Sequence, residues 1–564
     1  MQTNSSRKGS QIALFTMEVG IDAKLHTYSG GLGVLAGDIL RSCADMSIPI
    51  LAVTLASNEG YLYQKLDDLG NQIEEPESWR IDDYTELMSP KVTVFIEGRE
   101  VKIQAWRYTV SGLNGFQVPV YFLDTNLFEN DPCDRKITFC LYGGDKKYRL
   151  KQEIVLGIGG VRMLDALGHN ISRYHMNEGH SALVAMELMK KAKEANQDIT
   201  EEEALDMVRD RCIFTTHTPV SAGHDVFPVP MVKQLLGDYL DEQIERISSG
   251  NELDMTLLAL SHSEYINGVA KRHGEVFRTL YPGYPVDSIT NGVHHVFWTS
   301  HPFRKLYDSY ISGWRKDPFD LRYVASIPRT EILNAHDEAK RNLIDFVNSR
   351  NDVDMDYNTL TLGFARRITK YKRPDLLFSD PHRLVRISRK YPLQIILAGK
   401  AHPKDVEGKE LLKYIFEVKE EVKRDVKLVF LENYNMELAK MLIPGVDLWL
   451  NTPKRPLEAS GTSGMKASLN GVPQLSILDG WWLEGCIEGI TGWGIGAITL
   501  EDREEAESAK DAQDLYNKLE NLILPMFYRN MSEWTKIMRY TIAFNSSFFN
   551  SHRMVQQYLL NAYF

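Results

Sequence analysis

The sequence predicts an α/β protein made of two doubly wound, Rossmann-like units that face each other across a cleft. Three observations lead there. Apolar, strand-like runs alternate with helical stretches in two series, one from Gln11 to Thr290 and one from Thr359 to Leu478. Strands that alternate with helices imply parallel sheets with crossover connections. The chain has 564 residues, beyond the length at which a single hydrophobic core stops growing. Loops rich in glycine or in cations follow several of the apolar runs, at the edge where open parallel sheets bind ligands. The expected units are residues 1–300 and 301–539, with a hinge-side connection from about Ser300 to Asp356. The aromatic, amphipathic segment 540–564 is expected to be a helix that packs back on the first unit.

Residues 11–19 read as a buried strand, followed by a Gly-rich turn, a helix over residues 32–46 and a strand over 48–55. Residues 92–110 alternate apolar and polar around Glu97-Gly98, the pattern of a β-hairpin. Further strands are expected at 118–123, 172–176, 212–216 and 287–290. The second series places strands at 359–365, 393–398, 427–431, 447–450 and 474–478, with helical periodicity over 407–423 and 436–442.

Composition narrows the function. Hydrophobic content of 43% and charged content of 25% are ordinary for a globular enzyme. A net charge of −11 argues against general binding to nucleic acid or anionic membranes. The five cysteines form no close ligand pair, so neither a zinc site nor a disulfide framework is expected, and they suit a reducing cytoplasm. No run has the length and apolarity of a bilayer span, and the apolar run 12–19 is too short for a signal peptide and contains Glu18.

The most informative stretch is Glu458-Ala-Ser-Gly-Thr-Ser-Gly-Met-Lys466. Its small-residue turn lets backbone N–H groups approach an anion, and a helix start favours negative charge. Many retaining transferases that use nucleotide sugars place a second glutamate where Lys466 stands. A lysine cannot accept ribose hydroxyl hydrogen bonds, but its amine can condense with an aldehyde cofactor. Phe364-Ala-Arg-Arg-Ile-Thr-Lys-Tyr-Lys-Arg373 crowds five cations around Tyr371 without an acid. A charge run is usually a solvated face. At the end of a buried strand, a cradle for two phosphates explains it better. Tyr28-Ser-Gly-Gly-Leu-Gly-Val-Leu35 is either a tight strand-to-helix turn or an anion site, and it lacks the full dinucleotide fingerprint. His175-Met-Asn-Glu-Gly-His180 and Thr215-Thr-His-Thr-Pro219 end strands, and read equally as sugar-binding loops or as capped and packed structure. Ile289-Thr-Asn-Gly-Val293 reads by itself as a turn.

Together, in this order, the motifs resemble the α-glucan phosphorylases, the glycogen and maltodextrin phosphorylase family, and most of all its shorter bacterial and archaeal branch. The resemblance implies reversible phosphorolysis of terminal α-1,4-glucosyl units to α-glucose 1-phosphate, with pyridoxal 5′-phosphate on Lys466. It implies Arg366, Lys372, Thr462 and Ser463 around the cofactor phosphate. Arg367, Lys372, Gly31 and Leu32 would bind inorganic phosphate or the phosphate of glucose 1-phosphate. His217, Asn291, Tyr371, Glu458, Ser460 and Gly461 would hold the glucosyl unit. Lys466, Arg367, Lys372 and His217 are the expected catalytic residues, no metal is expected, and a homo-oligomer is compatible. Two departures stand out: Arg366 replaces the usual lysine of the long animal and plant enzymes, and Ser463-Gly464 replaces their Gly-Asn. The motifs offer no carboxylate pair arranged as acid and nucleophile. In the family, the substrate phosphate protonates the departing 4-hydroxyl and then closes on the glucosyl group from the same face. A nucleotide-sugar transferase and a catalytically silent glucan-binding protein are the competing readings.

Overall fold

The computed structural model describes residues 10–77, 79–219, 224–240, 248–351, 353–496 and 504–564. Among them, two sheets carry most of the strands. The larger runs in the order Val286–Ser288, Tyr265–Gly268, Cys212–Thr215, Ile171–Asn177, Gln11–Thr16, Ile50–Leu55, Gln117–Asp124, Arg99–Ser111 and Glu86–Leu87. The pairs from Val286–Ser288 to Gln117–Asp124 are parallel. The expected hairpin is present, with Val92–Ile96 paired to Arg99–Ser111 and Glu97 and Gly98 at positive φ in its turn. Apolar residues cover both faces of this sheet. Ala13 and Phe15 join one buried cluster while Ile12 and Leu14 join another, as the two-residue period of a strand requires.

The second sheet is parallel throughout, in the order Lys427–Leu431, Leu393–Ala398, Leu360–Ala365, Leu448–Asn451, Gln474–Ile477 and Gly492–Ile495. Leu360–Ala365 and Leu393–Ala398 are buried at every position, which explains their nearly unbroken apolar sequence. Helices Val406–Val422 and Met436–Gly445 stand where periodicity placed them. Among the parallel strands of the two sheets, two escape the sequence reading, Tyr265–Gly268 and Gly492–Ile495. The first ends in Asn-Gly and the second is half glycine, so each carries the local signature of a turn. The stretch expected as a hinge-side connection also contributes to a core. Helices His301–Tyr310 and Arg329–Arg350 bury Phe303, Tyr307, Ile332, Leu343 and Val347 in the cluster that packs on the second sheet. No helix among the described residues is long and apolar enough to cross a membrane.

The C-terminal segment corrects the expectation of one helix on one unit. Ile542, Ala543 and Phe549 pack with the second sheet's core, whereas Met554, Val555 and Tyr558 pack on the first sheet. The change of side falls at Asn550, whose carboxamide caps helix Ser551–Tyr558 by accepting the Arg553 N–H at 2.9 Å. Here the chain crosses the Asn291-Gly292 turn: Ser551 N–H donates to the Val293 carbonyl at 3.0 Å. A Cβ on Gly292 would lie 2.1 Å from the Asn550 carbonyl oxygen, so only glycine admits the crossing. Gly292→Ala should therefore destabilise the protein at or above the upper end of the roughly 1–3 kcal/mol typical of overpacking, because backbone rather than a movable side chain is in the way. Differential scanning calorimetry checks this; an unchanged midpoint would refute the tight crossing.

Candidate active site

Each sheet reverses its strand order once, between Gln11–Thr16 and Ile171–Asn177 in the first and between Leu360–Ala365 and Leu448–Asn451 in the second. Open parallel sheets bind ligands beyond the carboxyl ends of strands at such a reversal. The loops that leave these four strands span residues 17–30, 178–182, 366–380 and 452–462, and they carry much of the Gly-rich, 175–180, cationic and 458–466 motifs, whereas the motifs at 215–219 and 289–293 follow strands Cys212–Thr215 and Val286–Ser288 of the first sheet.

In the second sheet the acid missing from the cationic run comes from the neighbouring loop. Arg366 Nη2 and Lys372 Nζ each donate to Glu458 Oε2 at 2.6 Å. Burial pushes the Glu458 carboxyl up, and the adjacent Arg366 and Lys372 more than reverse this, holding it at about 2. Two of the other cations are used elsewhere. Lys370 pairs with Glu407 at an exposed position, and Arg373 bonds to the carbonyls of Thr452 and Pro453 and to Asp511, tying the two loops together. Tyr371 stacks below Lys372, whose Nζ is 4.4 Å from its ring centroid. Arg367 makes no ion pair among the described residues, and its Nη2 lies 3.5 Å from Ser29 Oγ of the Gly-rich turn. The five cations thus divide into a buried pair, a surface pair member, a loop tie and one exposed fork.

A pocket of about 230 Å³, open to solvent, is lined by Arg366, Glu458, Ser460, Gly461, Asp479 and Trp481, among others. Gly461 needs its positive φ of 76° to bring the loop round beside Glu458. Burial raises the Asp479 carboxyl to about 7. Its two oxygens accept the Glu458 and Gly480 amides at 2.9 Å each, which makes it a loop-shaping residue. Neither the residue type nor the spacing of Asp479 marks this role in the sequence.

Glu458 also sets a pH dependence. Its folded pKa of about 2 lies below the ordinary 4.5. The stabilisation is therefore fully present above the unfolded value and lost as pH falls towards 2. The shift corresponds to roughly 3 kcal/mol. Glu458→Gln should be destabilised relative to the parent above about pH 5, with the gap closing on acidification. Denaturant titrations across this range test it, and a gap independent of pH would contradict the pairing.

Lys466 lies in helix Ser463–Leu469, one turn after Thr462, and is 7% exposed. Its Nζ sits 3.6 Å from the Trp298 ring centroid. Burial lowers its pKa to about 8, with Asp38 opposing and Arg41 assisting the shift. A Cβ on Gly464 would come within 1.4 Å of the buried Gln474 Oε1, so a larger residue there would have to displace that side chain. Ser463 Oγ accepts from Trp449 Nε1 at 3.1 Å, and Thr462 makes no side-chain cap bond. Arg366 Nε and Nη1 are buried without a partner among the described residues. A buried, weakly basic amine followed back to an uncommitted hydroxyl and unmet guanidinium donors fits a cofactor that bears an aldehyde and a phosphate.

On the first sheet, Gly31 and Leu32 open helix Gly31–Asp45. A Cβ on Gly31 would meet nothing within 4 Å, so this edge is open to a ligand. Glu18 fills the adjacent anion position, accepting the Ser29 and Gly30 amides at 2.5 and 3.2 Å and the Tyr142 hydroxyl at 3.0 Å. His217 Nε2 is 2.7 Å from Asn177 Oδ1, and its amide donates to Glu178 Oε2 at 2.7 Å. Burial, then the neighbouring His273, His175 and His180, holds its pKa near 3, so the imidazole is neutral. Glu178 shapes this loop from a strained φ of 75°, a role that neither its residue type nor its spacing announced. Asn291 is 4% exposed, and its Oδ1 lacks a partner among the described residues. His175, the first residue of its motif, serves packing: Nδ1 contacts the Tyr563 hydroxyl at 2.7 Å and Nε2 the Thr215 hydroxyl at 2.8 Å. The ring nitrogens of His294, His295 and His552 come within 4.8 Å of one another. His294 Nδ1 accepts the Phe297 amide, which leaves Nε2–H directed at Asp45, a hydrogen-bonded arrangement.

A family model described as carbohydrate phosphorylase matches residues 238–489, which include Asn291, the cationic run and the Glu458–Lys466 stretch. A maltodextrin phosphorylase of Thermococcus litoralis is 40% identical over 99% of this chain and 71% of its own length. A glycogen phosphorylase of Aquifex aeolicus is 35% identical over 98% of this chain and 86% of its own. One from Mycobacterium tuberculosis is 33% identical over 98% and 70%. Near-complete coverage at these identities makes this chain an enzyme of the carbohydrate phosphorylase family.

Proposed function

We propose that the enzyme is an α-1,4-glucan phosphorylase that uses pyridoxal 5′-phosphate on Lys466, with the two sheets as facing GT-B units, residues 1–300 and 301–539. The observation that carries this reading is the buried Lys466 amine, held at about 8 and free of any acid within ion-pair distance among the described residues. Its substrates would be glycogen or maltodextrin and inorganic phosphate, and its product α-glucose 1-phosphate with retained configuration. Five unpaired cysteines suit a cytoplasmic setting.

Arg366, Lys372, Thr462 and Ser463 would receive the cofactor phosphate, a task the two unpartnered Arg366 nitrogens support. Arg367, Lys372 and the Gly31 and Leu32 amides would hold the substrate phosphate. When bound, the cofactor supplies a phosphate group that shares a proton with the substrate phosphate. Glu458, kept ionised, can only accept, so it suits glucosyl hydroxyls and not protonation of the leaving group. Neutral His217, the unmet Asn291 oxygen, Tyr371, Ser460 and Gly461 would complete the glucosyl site. The proton for the departing 4-hydroxyl then comes from the substrate phosphate, and the cations position that group. Maltooligosaccharide incubated with phosphate should yield glucose 1-phosphate, and the reverse reaction should extend a primer. Equal rates with water, or transfer from a nucleotide sugar without phosphate, would overturn the proposal.

A further inference from the structure

The Lys466 amine is held by a π face and has no direct counter-ion among the described residues. At the edge of that ring, on its N–H, lies a buried carboxylate. Asp38, on helix Gly31–Asp45, is 1% exposed and accepts the Trp298 indole N–H, with oxygen distances of 2.8 and 3.1 Å. Arg41 Nη1 stands 3.3 Å from the same carboxylate, and its guanidinium lies over Phe297. The Asn470 amide donates to both the Trp298 and Lys466 carbonyls, at 3.0 and 2.9 Å, so platform and amine share one anchor.

We infer that Asp38 is a positioning residue for Lys466: by accepting the indole N–H it holds the Trp298 ring as the platform on which the amine lies. Burial raises the Asp38 carboxyl while Arg41, Lys466 and the indole N–H act to keep it ionised, and in that form it opposes loss of the amine's proton. The inference rests on Lys466 as the cofactor lysine. An amine must be neutral to attack an aldehyde carbon, and a direct carboxylate partner would hold it protonated. A carboxylate acting past an indole ring keeps the amine in place at a smaller cost in nucleophilicity. The charged groups that face the site are Asp38 and Arg41 from the first helix, with Lys440 above Phe297 at 4.1 Å. Burial is the largest influence on Lys466 and Asp38 the next.

Asp38→Asn keeps an acceptor for the indole and removes the charge, whereas Asp38→Leu removes both. The full-length proteins, cleared of bound aldehyde with hydroxylamine, are treated with formaldehyde and cyanoborohydride from about pH 6 to about pH 10, across the range where lysine and its perturbed forms titrate. Mass spectrometry of the Lys466 peptide gives the pH of half-maximal methylation. In the parent this should fall near 8. Asp38→Asn should lower it by about 0.5–1 unit with tryptophan emission unchanged, since one nearby opposite charge is lost. Asp38→Leu should both lower it and shift the emission. Coincident profiles for the parent and Asp38→Asn would overturn the inference, and Asp38→Asn decides alone if the leucine variant does not fold. A separate arm treats the parent with pyridoxal 5′-phosphate and borohydride. Absence of the adduct from Lys466 would reject the cofactor reading without affecting the formaldehyde comparison.

Discussion

Lys466→Ala should carry no covalently bound pyridoxal phosphate and should lose phosphorolysis by at least about a thousandfold, on the order of 4 kcal/mol of transition-state stabilisation. The amine is the only group at this position able to condense with the cofactor aldehyde, and its burial makes it a better nucleophile than a surface lysine. The substitution also empties the space above Trp298 and removes one of the cations near Asp38, which keeps its contacts with Arg41 and the Trp298 indole. Lys466→Arg separates the two effects. Arginine restores a cation over the ring but stays protonated and forms no bond to the aldehyde. It should fold with near-parental stability and remain inactive. Borohydride trapping with peptide mass spectrometry, glucose 1-phosphate release and thermal midpoints measure all three properties. Turnover retained by Lys466→Arg would refute the assignment.

Arg367→Ala should leave the cofactor bound yet weaken the response to phosphate and lower turnover together. Loss of one charge-assisted contact corresponds to roughly 1.5–3 kcal/mol, about ten- to more than a hundredfold in kcat/KM. The structure sharpens the reason for choosing this residue. Arg366 and Lys372 are committed to Glu458, Lys370 to Glu407 and Arg373 to Asp511, while Arg367 faces the Gly-rich turn without an acidic partner among the described residues. Its removal should therefore change stability by no more than about 0.5 kcal/mol, which separates a binding defect from a folding one. Arg367→Lys should recover only part of the loss, because an ammonium cannot reproduce the bidentate fork. Phosphate kinetics, cofactor content and thermal midpoints on both variants decide the matter. Normal phosphate kinetics in the alanine variant would place the phosphate elsewhere in the loop.

Local pattern made much of this molecule legible. Continuous apolar runs marked the central strands to within a residue or two, since a strand buried on both faces has no polar alternation. It failed at Tyr265–Gly268 and Gly492–Ile495, where glycine needed for close packing imitates a turn. Among the motifs, Glu458–Lys466 was readable because few turns combine such small residues with a carboxylate and a lysine. His175 was not, because a buried histidine bonded to Tyr563 and one that faces a ligand have the same sequence.

By itself the sequence determined the fold class, the alternation of elements and the chemical types available at the loops, because these follow from residue periodicity and from donors and charges fixed covalently. Tertiary structure alone decided which of those groups are free. Glu458 meets Arg366 and Lys372 from a loop more than 80 residues away in the chain, and Asp38 reaches Trp298 from more than 250. It also decided why Gly292 must be glycine, since the obstacle is the Asn550 carbonyl. The physical reason is the same in each case: charge pairing, desolvation and steric exclusion depend on distances through space, and those are set only when the sheets, their crossover helices and the C-terminal segment pack together.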